Sequence, residues 1–84
     1  MTREEALEAI RKEGLDGYVW FESPSNETEV VAIQRDGSEW IVLATDERAG
    51  VEGVQRFDDE GEALECYVRR LRAGKRAEAL HRRR

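Results

Sequence analysis

The stretch VVAIQRDGSEWIVLAT, residues 30–45, holds two runs of β-branched and aromatic residues on either side of Asp36-Gly37. Asp-Gly is a strong hairpin signal, because both residues tolerate the positive φ angles of a type I′ turn. A two-residue loop at this position would place Ile33 opposite Trp40. Since both faces of the hairpin carry apolar residues, we expect its two strands in the centre of a sheet.

Two further β-branched or aromatic runs flank this hairpin, and each is too short for a helix. The first follows Asp16-Gly17, and the second contains Gly53, which weakens a strand and favours an edge position. The four strands are predicted at residues 18–22, 27–35, 38–45 and 51–57.

A helix is predicted on each side of the four strands. Thr2 and Glu5 have the spacing of a capping box, and Gly14 suits the left-handed position after a helix end, so the first helix covers residues 3–13. Asp58 or Asp59 caps the second helix, whose apolar residues recur at helical spacing over residues 60–72. We expect this second helix to end near Gly74.

The order of these elements predicts an α+β fold. Short links between consecutive strands favour a four-stranded antiparallel meander with an N-terminal and a C-terminal helix (α-β-β-β-β-α), both helices on one face. We expect a single domain over residues 1–73 and a basic, mobile tail over residues 74–84, because short charged termini are commonly mobile.

The charges are divided unevenly along the 84 residues, whose net charge is −5. Residues 1–68 carry −12 and residues 69–84 carry +7. An acidic body repels phosphate backbones and favours a basic protein partner, so nucleic acid is expected only at the tail. The chain shows no secretory signal or membrane-spanning stretch, and we expect it in the cytoplasm, without a membrane partner.

The residues that carry chemistry are few. The single cysteine excludes an intramolecular disulfide, and together with the single histidine it leaves too few ligands for a zinc site. Cys66 falls on the apolar stripe of the second helix, as a structural thiol does, and His81 lies in the tail. No Gly-rich phosphate loop is present. We therefore expect no enzyme activity, no catalytic residue, no cofactor and no metal.

Two tryptophans have two possible roles. Trp20 and Trp40 lie on neighbouring predicted strands, where a tryptophan either belongs to the core or serves as an interface anchor. Spacing does not separate these alternatives.

Three segments occur in an informative order: Trp40-Ile41-Val42, then Asp46-Glu47-Arg48-Ala49-Gly50, then Phe57-Asp58-Asp59-Glu60-Gly61-Glu62-Ala63. This order resembles small bacterial immunity proteins of polymorphic toxin systems, in particular the immunity protein 59 group, over residues 18–72. In that group a strand tryptophan precedes a Glu-Arg-Gly-like turn and then a phenylalanine before an acidic helix start. Here Ala49 separates Arg48 from Gly50.

The resemblance implies that the protein neutralises a cognate toxin of the same cell by covering its active site or a nearby surface. Such toxins include nucleases, whose basic substrate sites would attract an acidic domain. We expect the partner-binding residues on strand ends and loops, with Trp20 or Trp40 as an anchor. The candidate residues are Glu27, Glu29, Trp40, Asp46, Glu47, Arg48 and Glu52.

Two other interpretations remain open at this point. One is a small regulatory or nucleic-acid-associated accessory protein that uses the arginine-rich tail. The other is an adaptor that dimerises through the edge of the fourth strand. In each case we expect a monomer or a weak dimer.

Overall fold

A computed structural model describes residues 1–82 of the chain, with side chains through residue 76. It contains two helices and four strands, as the sequence predicts. The elements are α1 (Arg3–Glu13), β1 (Tyr18–Trp20), β2 (Val31–Asp36), β3 (Glu39–Thr45), β4 (Val51–Phe57) and α2 (Glu60–Arg82).

The four strands form one sheet in the order β1-β2-β3-β4. The β2–β3 hairpin is central and β4 lies at an edge, which confirms both predictions. The antiparallel meander is wrong, however, because β1 runs parallel to β2, with Tyr18 opposite Val31 and Trp20 opposite Ile33. Residues 21–30 are a crossover connection rather than a hairpin loop, so β2 begins at Val31 instead of at residue 27.

The central hairpin has a different register from the predicted one. Ile33 pairs with Val42 rather than with Trp40, and Asp36 pairs with Glu39. The two loop residues are therefore Gly37 and Ser38, and only Gly37 has a positive φ, of 64°, which is the pattern of a type II′ turn. The shift is two residues, an even number, so each face of the hairpin carries the same set of side chains as in the predicted register.

One face of the sheet carries both helices and the main core. The buried stripe of α2 packs against Ile33 and Val42, together with Ala6 and Ile10 of α1. Tyr67 is fully buried, and its hydroxyl donates to the carbonyl of Val19 at 3.0 Å. Burial raises the pKa of the Tyr67 phenol well above its ordinary value. The α2 residues of this stripe are Ala63, Leu64, Cys66, Tyr67, Val68 and Leu71.

The opposite face carries a smaller cluster, formed by Val19, Val30, Ala32 and Leu43. The crossover connection runs across this face, because Gln34 Nε2 donates to the carbonyl of Glu22 at 3.1 Å. The β1–β2 connection therefore lies over the β1–β2 side of the face that no helix covers.

The predicted caps of α1 are present. Thr2 and Glu5 form the capping box, and Gly14 ends the helix at φ 59°. At the start of α2 the cap is Asp59, whose Oδ2 accepts from the amide of Glu62 at 2.9 Å.

The predicted end of α2 near Gly74 is wrong, because the helix continues to Arg82 through much of the predicted tail. An isolated glycine costs a helix only about 1 kcal/mol, and no neighbouring atom lies within 4 Å of a Cβ placed at Gly74. Residues 83 and 84 of the predicted tail lie outside the described residues. Within residues 1–82, no helix is long and apolar enough to cross a membrane.

The two helices run parallel to each other and are joined by ion pairs at both ends. At their N-terminal ends, Arg3 Nη2 lies 2.8 Å from Glu60 Oε2. Near the end of α1, Arg72 binds both carboxylate oxygens of Glu13, at 2.8 and 2.6 Å, and Lys75 donates to the Glu13 carbonyl.

A bulge interrupts β4. Val42 pairs with Gln55 and Ala44 with Glu52, so two residues of β4 oppose one of β3. Gly53 supplies the required positive φ, of 58°. Its carbonyl accepts from Arg70 Nη1 at 2.6 Å. The bulge and the bound Gly53 carbonyl interrupt the row of backbone groups with which another strand could pair. This weighs against an adaptor that dimerises through the β4 edge.

Replacement of Gly53 tests this bulge. Gly53→Ala imposes a left-handed alanine and displaces the Arg70 guanidinium, so we expect a loss of about 2 kcal/mol in the free energy of unfolding. Gly14→Ala is the matched control, because Gly14 is also left-handed (φ 59°, ψ 46°) and the nearest atom to its added Cβ lies at an ordinary contact distance of 3.6 Å; it should lose about 1 kcal/mol. Equal losses in urea titrations of the two variants would contradict the role of Arg70.

The Glu13–Arg72 pair predicts a pH dependence of stability. The hydrogen bond from Arg72 lowers the pKa of Glu13. The Glu13 carboxylate therefore makes its full contribution to the free energy of unfolding at pH values above the pKa of an unfolded glutamate, about 4.3. That contribution is lost as the pH falls through the lower pKa that Glu13 has in the folded protein. Glu13→Gln should reduce the stability lost between about pH 7 and about pH 3 in urea titrations. Glu65→Gln is the control, and an unchanged pH profile of Glu13→Gln would refute the role of the pair.

Candidate functional site

An open cleft lies at the end of the sheet where β3 ends and β4 begins. It has a volume of about 720 Å³, and we call it the loop cleft. Three separate parts of the chain form it: the end of the β1–β2 connection, the β3–β4 turn with the adjoining strand ends, and α2. Its lining residues are Glu29, Val30, Val31, Ala44, Thr45, Asp46, Glu47, Arg48, Glu52, Arg70, Ala73 and Gly74.

The loop cleft brings together five of the seven predicted partner-binding residues, namely Glu29, Asp46, Glu47, Arg48 and Glu52. Glu52 reaches the cleft because the bulge shifts the alternation of β4, which leaves Glu52 opposite Ala44, another lining residue. The five residues therefore lie close together because of the bulge in β4 as well as the β3–β4 turn.

Asp46 builds the β3–β4 turn. Its Oδ1 accepts from the amides of Arg48 at 2.9 Å and Gly50 at 2.8 Å. Its carbonyl accepts from Glu29 at 3.2 Å, which holds the end of the β1–β2 connection against the turn. Since this carboxylate satisfies backbone donors within the turn, Asp46 positions its neighbours.

The other acids of the loop cleft are directed to solvent. Glu29, Glu47 and Glu52 are exposed, and among the side chains described, through residue 76, none of the three forms an ion pair within 4.0 Å. Arg48 is exposed on the turn, whereas Arg70 is held by the carbonyls of Gly53 and Val42. Four carboxylates therefore face two guanidinium groups, which leaves the cleft acidic.

The other two predicted residues lie elsewhere. Glu27 is exposed in the β1–β2 connection and does not line the cleft. Trp40 is at the opposite end of β3 from the turn, half-buried against the main core. Its Nε1 donates to Glu60 Oε2 at 3.1 Å, and the Arg35 guanidinium lies 5.2 Å from its ring. Trp20 is also half-buried, 6.0 Å from the Tyr67 ring.

Cys66 lies inside the fold, and the side chain of His81 lies outside the described residues. Cys66 is buried, and its thiol donates to Gln55 Oε1 at 3.1 Å. Within the described part of the chain, no group of three or more His, Cys, Asp or Glu side chains is placed to hold a metal ion.

Three basic residues of α2, of which one belongs to the predicted tail, also make contacts that stabilise the fold. Arg72 and Lys75 bind Glu13, and Arg70 binds the bulge. Arg70 is a cleft residue that sequence reasoning missed. Two sequence features together could have indicated Arg70: an arginine at the end of the apolar stripe of the second helix, and a glycine in the predicted edge strand.

Comparisons of this chain with protein families, with curated proteins and with solved structures gave no match.

The backbone conformation of the β3–β4 turn indicates that a glycine at residue 49 would stabilise the protein. Ala49 adopts a left-handed conformation, with φ 62°, at the position that separates Arg48 from Gly50. Ala49→Gly removes the steric penalty on Cβ, and after the greater freedom of glycine in the unfolded chain is subtracted, we expect a gain of about 0.5–1 kcal/mol. Urea titration measures it. Ala73→Gly, within α2, should instead lose about 1 kcal/mol; a loss in both variants would contradict the strain at Ala49.

Proposed function

We propose that this protein is an immunity protein, which binds and neutralises a cognate toxin through the acidic surface of the loop cleft. The observation that supports this most is the convergence of Glu29, Glu47 and Glu52 at one opening, from the β1–β2 connection, the β3–β4 turn and the start of β4. Their carboxylates face solvent without a described ion-pair partner. The resemblance of residues 18–72 to bacterial immunity proteins adds the class of partner.

The charge distribution favours a basic partner site. Exposed carboxylates around an opening raise the local concentration of cationic groups and speed diffusional encounter. A nuclease presents such groups where its phosphate substrate binds, so carboxylates can occupy the positions of phosphates. Asp46 holds the turn that presents Glu47, and the bulge presents Glu52, which fixes the backbone of both residues before binding and lowers the entropic cost of association.

Inhibition on this proposal is by occlusion. The protein supplies no reacting group; it covers the basic site and excludes its substrate. Arg48, at the rim of the cleft, would meet an acidic group of the toxin and select the orientation of the complex, since mismatched charges at an interface are strongly unfavourable.

Coexpression with any toxic product of the genes adjacent to this one tests the proposal. We expect rescue of growth and a one-to-one complex in gel filtration. The triple variant Glu29→Lys, Glu47→Lys, Glu52→Lys should slow association by roughly a hundredfold at low salt, with a smaller effect at high salt, because it reverses the steering charge. Stopped-flow or biosensor kinetics measure the rate.

The matched control reverses three exposed acids that lie outside the loop cleft: Glu22→Lys, Glu62→Lys and Glu65→Lys. It changes the net charge by the same amount, so any difference between the triple variants reports position rather than total charge. Equal association rates for the two would refute the loop cleft as the binding surface, and absence of rescue by the wild-type protein would refute the immunity function.

A further inference from the structure

A second concave surface lies between α1 and the outer side of β1, and we call it the α1 groove. Its volume is about 660 Å³. Leu7 and Tyr18 line it and are 43% and 46% exposed. Buried Ile10 and Leu15 also line the groove, so the exposed pair continues the apolar core outward. An exposed apolar pair that continues a groove and has a polar rim is a candidate interaction site, unlike apolar side chains exposed singly.

The polar rim of the α1 groove is mainly acidic. Glu4, Glu8 and Asp16 line it, together with Arg11. Glu8 is neutralised by Arg11 and Lys12, at 2.5 and 3.5 Å. Glu4 and Asp16 are exposed and have no ion-pair partner among the described side chains. The groove therefore offers an apolar centre between uncompensated carboxylates.

The α1 groove and the loop cleft adjoin each other. Gly17 follows Asp16, and a Cβ placed at Gly17 would lie 3.2 Å from the carbonyl of Glu29, a cleft residue. The amide of Val31, which also lines the cleft, donates to the Gly17 carbonyl at 2.8 Å. Glu29 of the loop cleft and Asp16 of the α1 groove are therefore close along these backbone contacts, at the end of the sheet where β1 and β2 begin.

We infer that the α1 groove is the apolar half of the partner-binding surface, and that it takes a basic protein segment with an apolar side chain between Leu7 and Tyr18. The inference rests on the proposed function for the identity of the partner. It names the chemistry of the segment: an aliphatic or aromatic side chain flanked by lysine or arginine, whose cations meet Glu4 and Asp16. Tyrosine in such a position is a typical interface hot spot, and none of the lining residues of the loop cleft is aromatic.

The first test needs no toxin. The full chain, labelled with ¹⁵N, is titrated with acetyl-Arg-Leu-Arg-amide and separately with acetyl-Arg-Gly-Arg-amide, which has the same charge. We expect amide shifts at Leu7 and from Gly14 to Tyr18 that saturate with the leucine peptide, and binding at least about fivefold weaker with the glycine peptide. Equal binding of both peptides, or shifts confined to other residues, would overturn the groove as an apolar site.

The second test uses the toxin identified in the coexpression experiment. Leu7→Ala and Tyr18→Ala should each raise the dissociation rate by about tenfold or more and leave the association rate nearly unchanged. Val54→Ala is the matched control, because Val54 is 51% exposed on the opposite edge strand. Dissociation rates equal to the control would overturn the inference while the immunity function stands. If the toxin does not bind the wild-type protein, the immunity function fails and the peptide titration decides whether the groove binds such a segment.

Discussion

The parallel packing of α1 against α2 determines the topology of the sheet. Each helix is joined to a strand by a short link that reverses the chain, of residues 14–17 after α1 and residues 58–59 before α2. Parallel helices therefore require β1 and β4 to run in the same direction. Since β2, β3 and β4 alternate in direction, β1 must be parallel to β2, and the chain has to cross the sheet between them. Burial of the α2 stripe and the hydrogen bond from Tyr67 to Val19 then attach the edge strand β1 to the same core.

This dependence explains how much of the fold the sequence predicts. Caps, turns and apolar periodicity are local, and they correctly indicate α1, the four strands, the start of α2 and the helices on one face. The direction of β1 depends on the packing of α1 against α2, and the ion pairs across that packing, Arg3 with Glu60 and Glu13 with Arg72, join residues 57 and 59 positions apart. No local pattern reports such pairs. The two-residue error at the hairpin arose because Gly37, rather than Asp36, occupies the first position of the turn.

The candidate site divides in the same way. Five charged residues of strand ends and loops lie together because strand ends that share one edge of a sheet are close in space. Trp40 was placed in the same set because a tryptophan is a common interface anchor, but it sits at the far end of β3 and donates to Glu60. The contribution of Arg70 and the side on which Glu52 points depend on a bulge. In the sequence, Gly53 indicates an edge strand, but it does not reveal that the strand contains a bulge or which way Glu52 points.

The fold also sorts the charges that the sequence shows only as an acidic body and a basic end. Glu13 and Glu60 each bind an arginine from the other helix, and Asp36 with Glu39 binds Arg56. These ion pairs neutralise carboxylates on the helical layer and at the β2–β3 hairpin. Among the side chains described, through residue 76, Glu29, Glu47 and Glu52 of the loop cleft have no such partner, so the repulsion among them is a cost that remains in the folded protein. A basic partner would remove that cost on binding, and the salt dependence of association would then come mainly from this end of the molecule.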